Sequence, residues 1–132
     1  MSDALAKFRS SLDTIESAYE FMLAYAAQGR DTDAGHSASP SIRQILGDLH
    51  AALAVIGNQV ADCYADEENC GFVDTLREDA TKAANSVQAA LNCSGISSQL
   101  VDNLNASIHL RAILTGLFLA DEALNIASRN QD

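Results

Sequence analysis

The chain reads as an all-α protein: an antiparallel, up-down-up-down four-helix bundle with helices over about 3–28, 40–65, 72–92 and 98–129. Three observations predict this. Apolar residues recur at alternating three- and four-residue spacing in successive segments, the seam pattern of packed helices. There is one proline, no tryptophan and much Ala and Leu, a composition that favours helix over sheet. The joints are mostly short and polar, which suits antiparallel neighbours. With 132 residues the default is one domain, long enough to bury a core without disulfides or metal.

The first helix carries Leu5, Phe8, Leu12, Ile15, Tyr19, Met22 and Ala26 as its seam, widened by Ala18, Phe21 and Tyr25. Ser2 is placed to cap it, and Gly29 suits the residue beyond its end. Residues 30–38, RDTDAGHSA, have no periodicity and are expected to form a mobile linker. Ser39 and Pro40 then fit the N-cap and first position of a second helix. Its seam is Ile42, Leu46, Leu49, Leu53, Ile56, Val60 and Cys63. Acidic residues 66–68 with Gly71 make a turn. The third helix is thin and Ala-rich, with Val73, Leu76, Ala80, Ala83, Val87 and Ala90 on its seam. Gly95 punctuates it, and Ser97 or Ser98 caps the fourth.

The fourth helix is the hub. Over 101–127, Ala106, Leu110, Ile113, Leu117 and Leu124 form one apolar face, while Val101, Ile108, Leu119 and Ile126 form a second. Between them runs a ridge of small residues: Ala112, Gly116, Ala120, Ala123 and Ala127. A surface helix has an apolar stripe of about 100°. This one is apolar over roughly twice that arc, so contacts on two or three sides are expected, with the small ridge turned inward. A Gly inside a helix costs up to about 1 kcal/mol relative to Ala, which Gly116 justifies where a neighbour comes close. Excess length and apolar width predict a homodimer through this helix, with Leu100, Arg111, Leu114 and Phe118 at the contact.

Eighteen acidic residues against eight basic give a formal charge of −10. Such a surface repels nucleic acid and anionic lipid, both of which need Lys and Arg to displace counterions. Arg111, Asp121 and Glu122 interrupt the longest apolar stretch, which falls short of the about 20 residues a membrane span takes. The opening MSDALAKF has no secretory pattern. Three cysteines, Cys63, Cys70 and Cys93, are an odd number without zinc-site spacing. They read as reduced thiols in the cytoplasm.

Three constellations carry possible chemistry. In GDLHAALAVIG, His50 lies beside the seam among the small residues Gly47, Ala51, Ala54 and Gly57. This resembles histidine phosphotransfer domains, small helical bundles in which an exposed His with small neighbours accepts a phosphoryl group from a partner's aspartate. The resemblance implies that role for His50. Those domains usually place Lys and Gly shortly after the His, where this chain has Leu53 and Ala54; the plainer reading is a flanking His on an amphipathic helix. Second, Asp102, Asn105 and His109 continue the small ridge at three- and four-residue steps, and would enter the bundle together as a ligand or metal pocket, with Glu16 or Glu20 in reach. The Glu-x-x-His pairs of di-iron bundles are absent, and the plainer reading is a satisfied polar network. Third, Cys63 and Cys70 flank one turn seven residues apart, as a redox pair or metal clip would, but the acidic neighbours Asp62, Asp66, Glu67 and Glu68 are expected to raise a thiol pKa and lower its reactivity.

No catalytic motif, phosphate-cradling loop or cofactor fingerprint is present, so no metal and no cofactor are expected. The expectation is a non-enzymatic bundle acting through protein–protein interaction as adaptor, regulator or accessory subunit, its partner's identity not being written in the sequence.

Overall fold

A computed structural model describes residues 3–35, 39–64 and 67–129. The protein is all-helical, with no strand among the described residues. The helices are α1 (Asp3–Ala26), α2 (Ile42–Cys63), α3 (Cys70–Leu91), α4 (Ser98–Ala106) and α5 (Ile108–Arg129), with a 3₁₀ turn at Glu67–Asn69 before α3. Among the described residues, no helix is long and apolar enough to cross a membrane. Ser2, residues 36–38 of the linker and Asp66 of the acidic turn lie outside the described residues.

The seams account for the core. Phe8, Leu12, Ile15 and Met22 of α1, Leu46, Leu49, Leu53 and Ile56 of α2, Leu76 and Val87 of α3, and Leu110, Ile113 and Leu117 of α5 are all buried. α1 packs on α2, α2 on α3 and α3 on α5. Burying each of these large side chains contributes about 1.5–3 kcal/mol relative to exposure.

One expectation is corrected at the hub. The fourth segment is not continuous from 98 to 129 but two helices, so among the described residues five α-helices pack where four were expected. The break is at Ser107, whose backbone is extended (φ −64°, ψ 143°). Its N–H and its hydroxyl both donate to the Leu104 carbonyl, at 3.1 and 2.7 Å. A serine side chain that bonds nearby backbone competes with the helical ladder. Tertiary packing gains from the interruption: α4 lies chiefly against α1, whereas α5 lies chiefly against α3. No glycine or proline marks the site, so Ser107 itself is the local sign in the sequence.

A second correction concerns the start of α2. The cap is Ser41, two residues later than expected, with Ile42 as the first helical residue. Ser41 Oγ accepts from the Gln44 N–H at 3.1 Å, and the Gln44 side-chain oxygen accepts from the Ser41 N–H at 2.8 Å. This reciprocal capping box satisfies two backbone donors, which Ser39 with Pro40 cannot do. Ser97 caps α4 by accepting from the Leu100 N–H at 3.0 Å. Its neighbour Ser98 is 3 % exposed, donates to the Tyr25 carbonyl and accepts from the Arg30 N–H, so it ties α4 to the end of α1. The Tyr25 hydroxyl completes the tie by donating to the Ile96 carbonyl at 2.6 Å.

The segment read as a linker carries a clasp. One Asp33 carboxylate oxygen accepts from the Ile96 N–H and the other from Arg43 Nε, both at 2.8 Å. Arg43 reaches on to the Leu91 and Cys93 carbonyls at the end of α3, at 3.1 and 2.9 Å. A guanidinium at a helix C-terminus satisfies orphan carbonyls and complements the dipole. Burial by itself would raise the Asp33 pKa, but the Ile96 and Arg43 hydrogen bonds outweigh it and hold it below the ordinary carboxylate value.

Two outcomes follow for the clasp. Arg43→Ala lowers unfolding free energy by about 1–2 kcal/mol in urea melts, the scale of partly exposed charged hydrogen bonds. Because the folded-state pKa of Asp33 is depressed, its contribution is complete above the ordinary carboxylate pKa and is lost as pH falls through the folded value. Asp33→Asn is therefore less stable than wild type at pH 7, and the gap closes on acidification below about pH 4.

Candidate functional site

His50 is half-buried on α2. Of its small neighbours, Ala51 and Ala54 are exposed, but Gly57 is buried against α3. A Cβ on Gly57 would lie 3.1 Å from the Arg77 Cα, so its smallness serves the α2–α3 approach.

The polar trio on the fourth segment is not brought together inward. Asp102 and His109 are exposed, and the break at Ser107 separates His109 from the other two. Only Asn105 turns in: it is 7 % exposed, and neither its amide oxygen nor its amide nitrogen has a partner among the described residues. Glu16 is half-buried on α1 and Glu20 is exposed. Burial first, then Asp13, Asp121 and Glu20, push the Glu16 carboxyl above its ordinary pKa. Among the described residues no three His, Cys, Asp or Glu side chains converge as metal ligands would.

All three cysteines are free thiols. Burial, with Asp62 adding and Arg9 opposing, raises the Cys63 pKa. Cys70 is exposed at the start of α3.

The four contact residues expected on the fourth helix divide. Arg111 and Phe118 are exposed, Leu100 is half-buried, and Leu114 is 6 % exposed and sits in the core beside Leu110 and Leu117. The larger surprise is the second apolar face. Val101 is buried as expected, but Ile108, Leu119 and Ile126 are 80, 61 and 48 % exposed, and Phe118 beside them 49 %. Ile108, Ala112, Thr115, Leu119, Glu122, Ile126 and Arg129 follow one another at four- and three-residue steps. α5 thus carries two seams, an inner one packed on α3 and an outer one facing solvent. The small ridge lies between them. Ala120 is fully buried, and a Cβ on Gly116 would lie 2.5 Å from Leu76 Cδ2, so Leu76 of α3 fills the notch that Gly116 leaves. Ala112 and Ala123 are half-buried, and Ala127 is exposed.

One flank of the outer seam opens into a groove of about 530 Å³ between the end of α5 and the α2–α3 joint. Leu119, Ala123 and Ala127 form one wall, and Tyr64 with Phe72 the other. The two rings meet edge to face, with centroids 6.1 Å apart. Near this end Arg9 anchors α1 to α5 by donating to Asp121 at 3.2 Å and to the Asn125 side-chain oxygen.

Comparison with protein-family models, curated proteins and solved structures gives no match.

The carboxyl and thiol environments give two expectations. Glu16→Gln leaves the fold as stable or raises it by about 0.5 kcal/mol at pH 7, the scale of a surface charge change. A raised folded-state pKa disfavours the charged form, so the difference vanishes once acid protonates wild-type Glu16. In timed thiol titration at pH 8, Cys70 reacts fastest, and Cys70→Ser removes the fast phase while Cys63 remains slow.

Proposed function

We propose that this protein is a non-enzymatic helical-bundle protein that acts through protein–protein interaction, with the outer seam of α5 as its working surface and a second copy of itself as the partner. Counted with α4 and α5 as one interrupted arm, its helices run up, down, up and down. The observation that carries the functional reading is the exposure of Ile108, Phe118, Leu119 and Ile126 along one side of a single helix. Single exposed apolar residues are ordinary, but four large ones within about a 100° arc of one helix mark an interaction surface. The rest of the surface is strongly acidic and keeps copies apart, so contact concentrates where apolar area compensates. An adaptor, a regulator or an accessory subunit of a larger assembly would each use such a face.

Sedimentation equilibrium at micromolar to 100 µM concentrations tests this. Wild type gives twice the 14.0 kDa chain mass. Leu119→Glu gives the chain mass with unchanged helicity, because Leu119 contributes little to the chain's own core. A wild type that sediments at one chain mass throughout, or a dimer that Leu119→Glu leaves intact, overturns the proposal.

A further inference from the structure

We propose that the second copy lies antiparallel along α5, so that Ile108 of one copy meets Ile126 of the other and Arg111 of each pairs with Glu122 of the other. This rests on the reading of the outer seam as the working surface, and adds its geometry.

The charge pattern selects the orientation. At about 100° per residue, Ile108, Thr115, Leu119 and Ile126 run down the middle of the exposed face. Arg111, Glu122 and Arg129 lie along one edge, and Ala112 and Ala123 along the other. Two identical helices related by a two-fold axis across their contact bring like edges together when antiparallel, and unlike edges when parallel. Centred near position 117, the antiparallel pair sets Ile108 against Ile126, Thr115 against Leu119, and Arg111 within one residue of Glu122, each contact made twice. The seam is therefore complementary to itself in both apolar and charged positions. A parallel pair sets each charged edge against alanines.

The local charge agrees. The molecule is at −10 overall, yet this face carries Arg111, Glu122 and Arg129, with no acidic excess to oppose a second copy. Arg111 is exposed and makes no ion pair among the described residues. Glu122 bonds Arg129 at 3.2 Å, but both side chains are more than three-fifths exposed, so that pair holds it weakly. The area is of the same order as a standard interface. The four exposed apolar side chains offer on the order of 450 Å² per copy, and the charged and small edges bring the face toward the about 800 Å² per partner of a standard interface.

The test is charge exchange read by sedimentation equilibrium. Arg111→Glu sets two like-charge contacts in the dimer, and so does Glu122→Arg. Each alone weakens self-association about tenfold or more, and less so at 0.5 M salt. The double exchange R111E/E122R returns the dimer to within a few-fold of wild type, and equimolar mixing of the two single variants yields a heterodimer. Arg129→Ala, which removes only the pair within the chain, leaves self-association unchanged. All these positions are exposed, and circular dichroism verifies the fold of each variant. A dimer that Leu119→Glu dissociates but neither single charge variant weakens overturns the antiparallel register and leaves the working surface standing. So does a double variant that fails to recover. A wild type that never dimerises overturns both.

Discussion

A helix with two apolar seams can bury only one of them against a single layer of neighbours, and α5 is such a helix. Its inner seam of Leu110, Ile113 and Leu117 closes the core against α3. That choice commits Ile108, Leu119 and Ile126 to the outside. Nothing else in the described chain reaches round to cover them, because α1 and α2 are occupied with each other and α4 is held on α1. The hydrophobic effect is proportional to area and indifferent to which molecule supplies the cover. In the proposed dimer a second chain supplies that cover.

The break at Ser107 belongs to the same constraint. α4 is locked at its start by Ser98, Tyr25 and Arg30, which fix it against the end of α1. α5 is locked by the notch at Gly116, which takes Leu76 of α3, and by Arg9 near its far end. A straight helix from 98 to 129 would have to satisfy both anchors with one axis. Interrupting the ladder costs a few backbone hydrogen bonds, each worth about 1 kcal/mol net, and Ser107 recovers part of that by bonding Leu104. The clasp of Asp33 and Arg43 does the matching service at the top of the molecule. It joins the segment after α1, the start of α2 and the end of α3 through one carboxylate and one guanidinium.

Much of this was legible in the residues alone, and the exceptions have physical reasons. The seams of α1, α2 and α3 were readable because heptad spacing reports directly which side of a helix is dry. The start of α2 was misplaced because Ser39 and Pro40 look like a cap, while the reciprocal bond between Ser41 and Gln44 is stronger. The break at Ser107 was missed because a lone serine is its local sign and the anchors on either side are distant in sequence. Periodicity also shows that Ile108, Leu119 and Ile126 seek cover without saying who provides it; the face expected to meet a neighbour is solvent-facing in the single chain. Leu114 shows the converse: placed at the contact, it is in the core. Asp102, Asn105 and His109 share a face only on an unbroken helix, and the break scatters them.

The most direct measurement is an isotope-filtered NOE experiment on a mixture of methyl-labelled and unlabelled chains. Ile108 and Ile126 stand 18 residues apart on one helix, about 27 Å at 1.5 Å per residue, too far for any contact within a chain. Antiparallel pairing gives cross-peaks between these two methyl groups in the mixed sample, with shifts that change on dilution. Ile108, Leu119 and Ile126 methyls with concentration-independent shifts and contacts to water alone would contradict it.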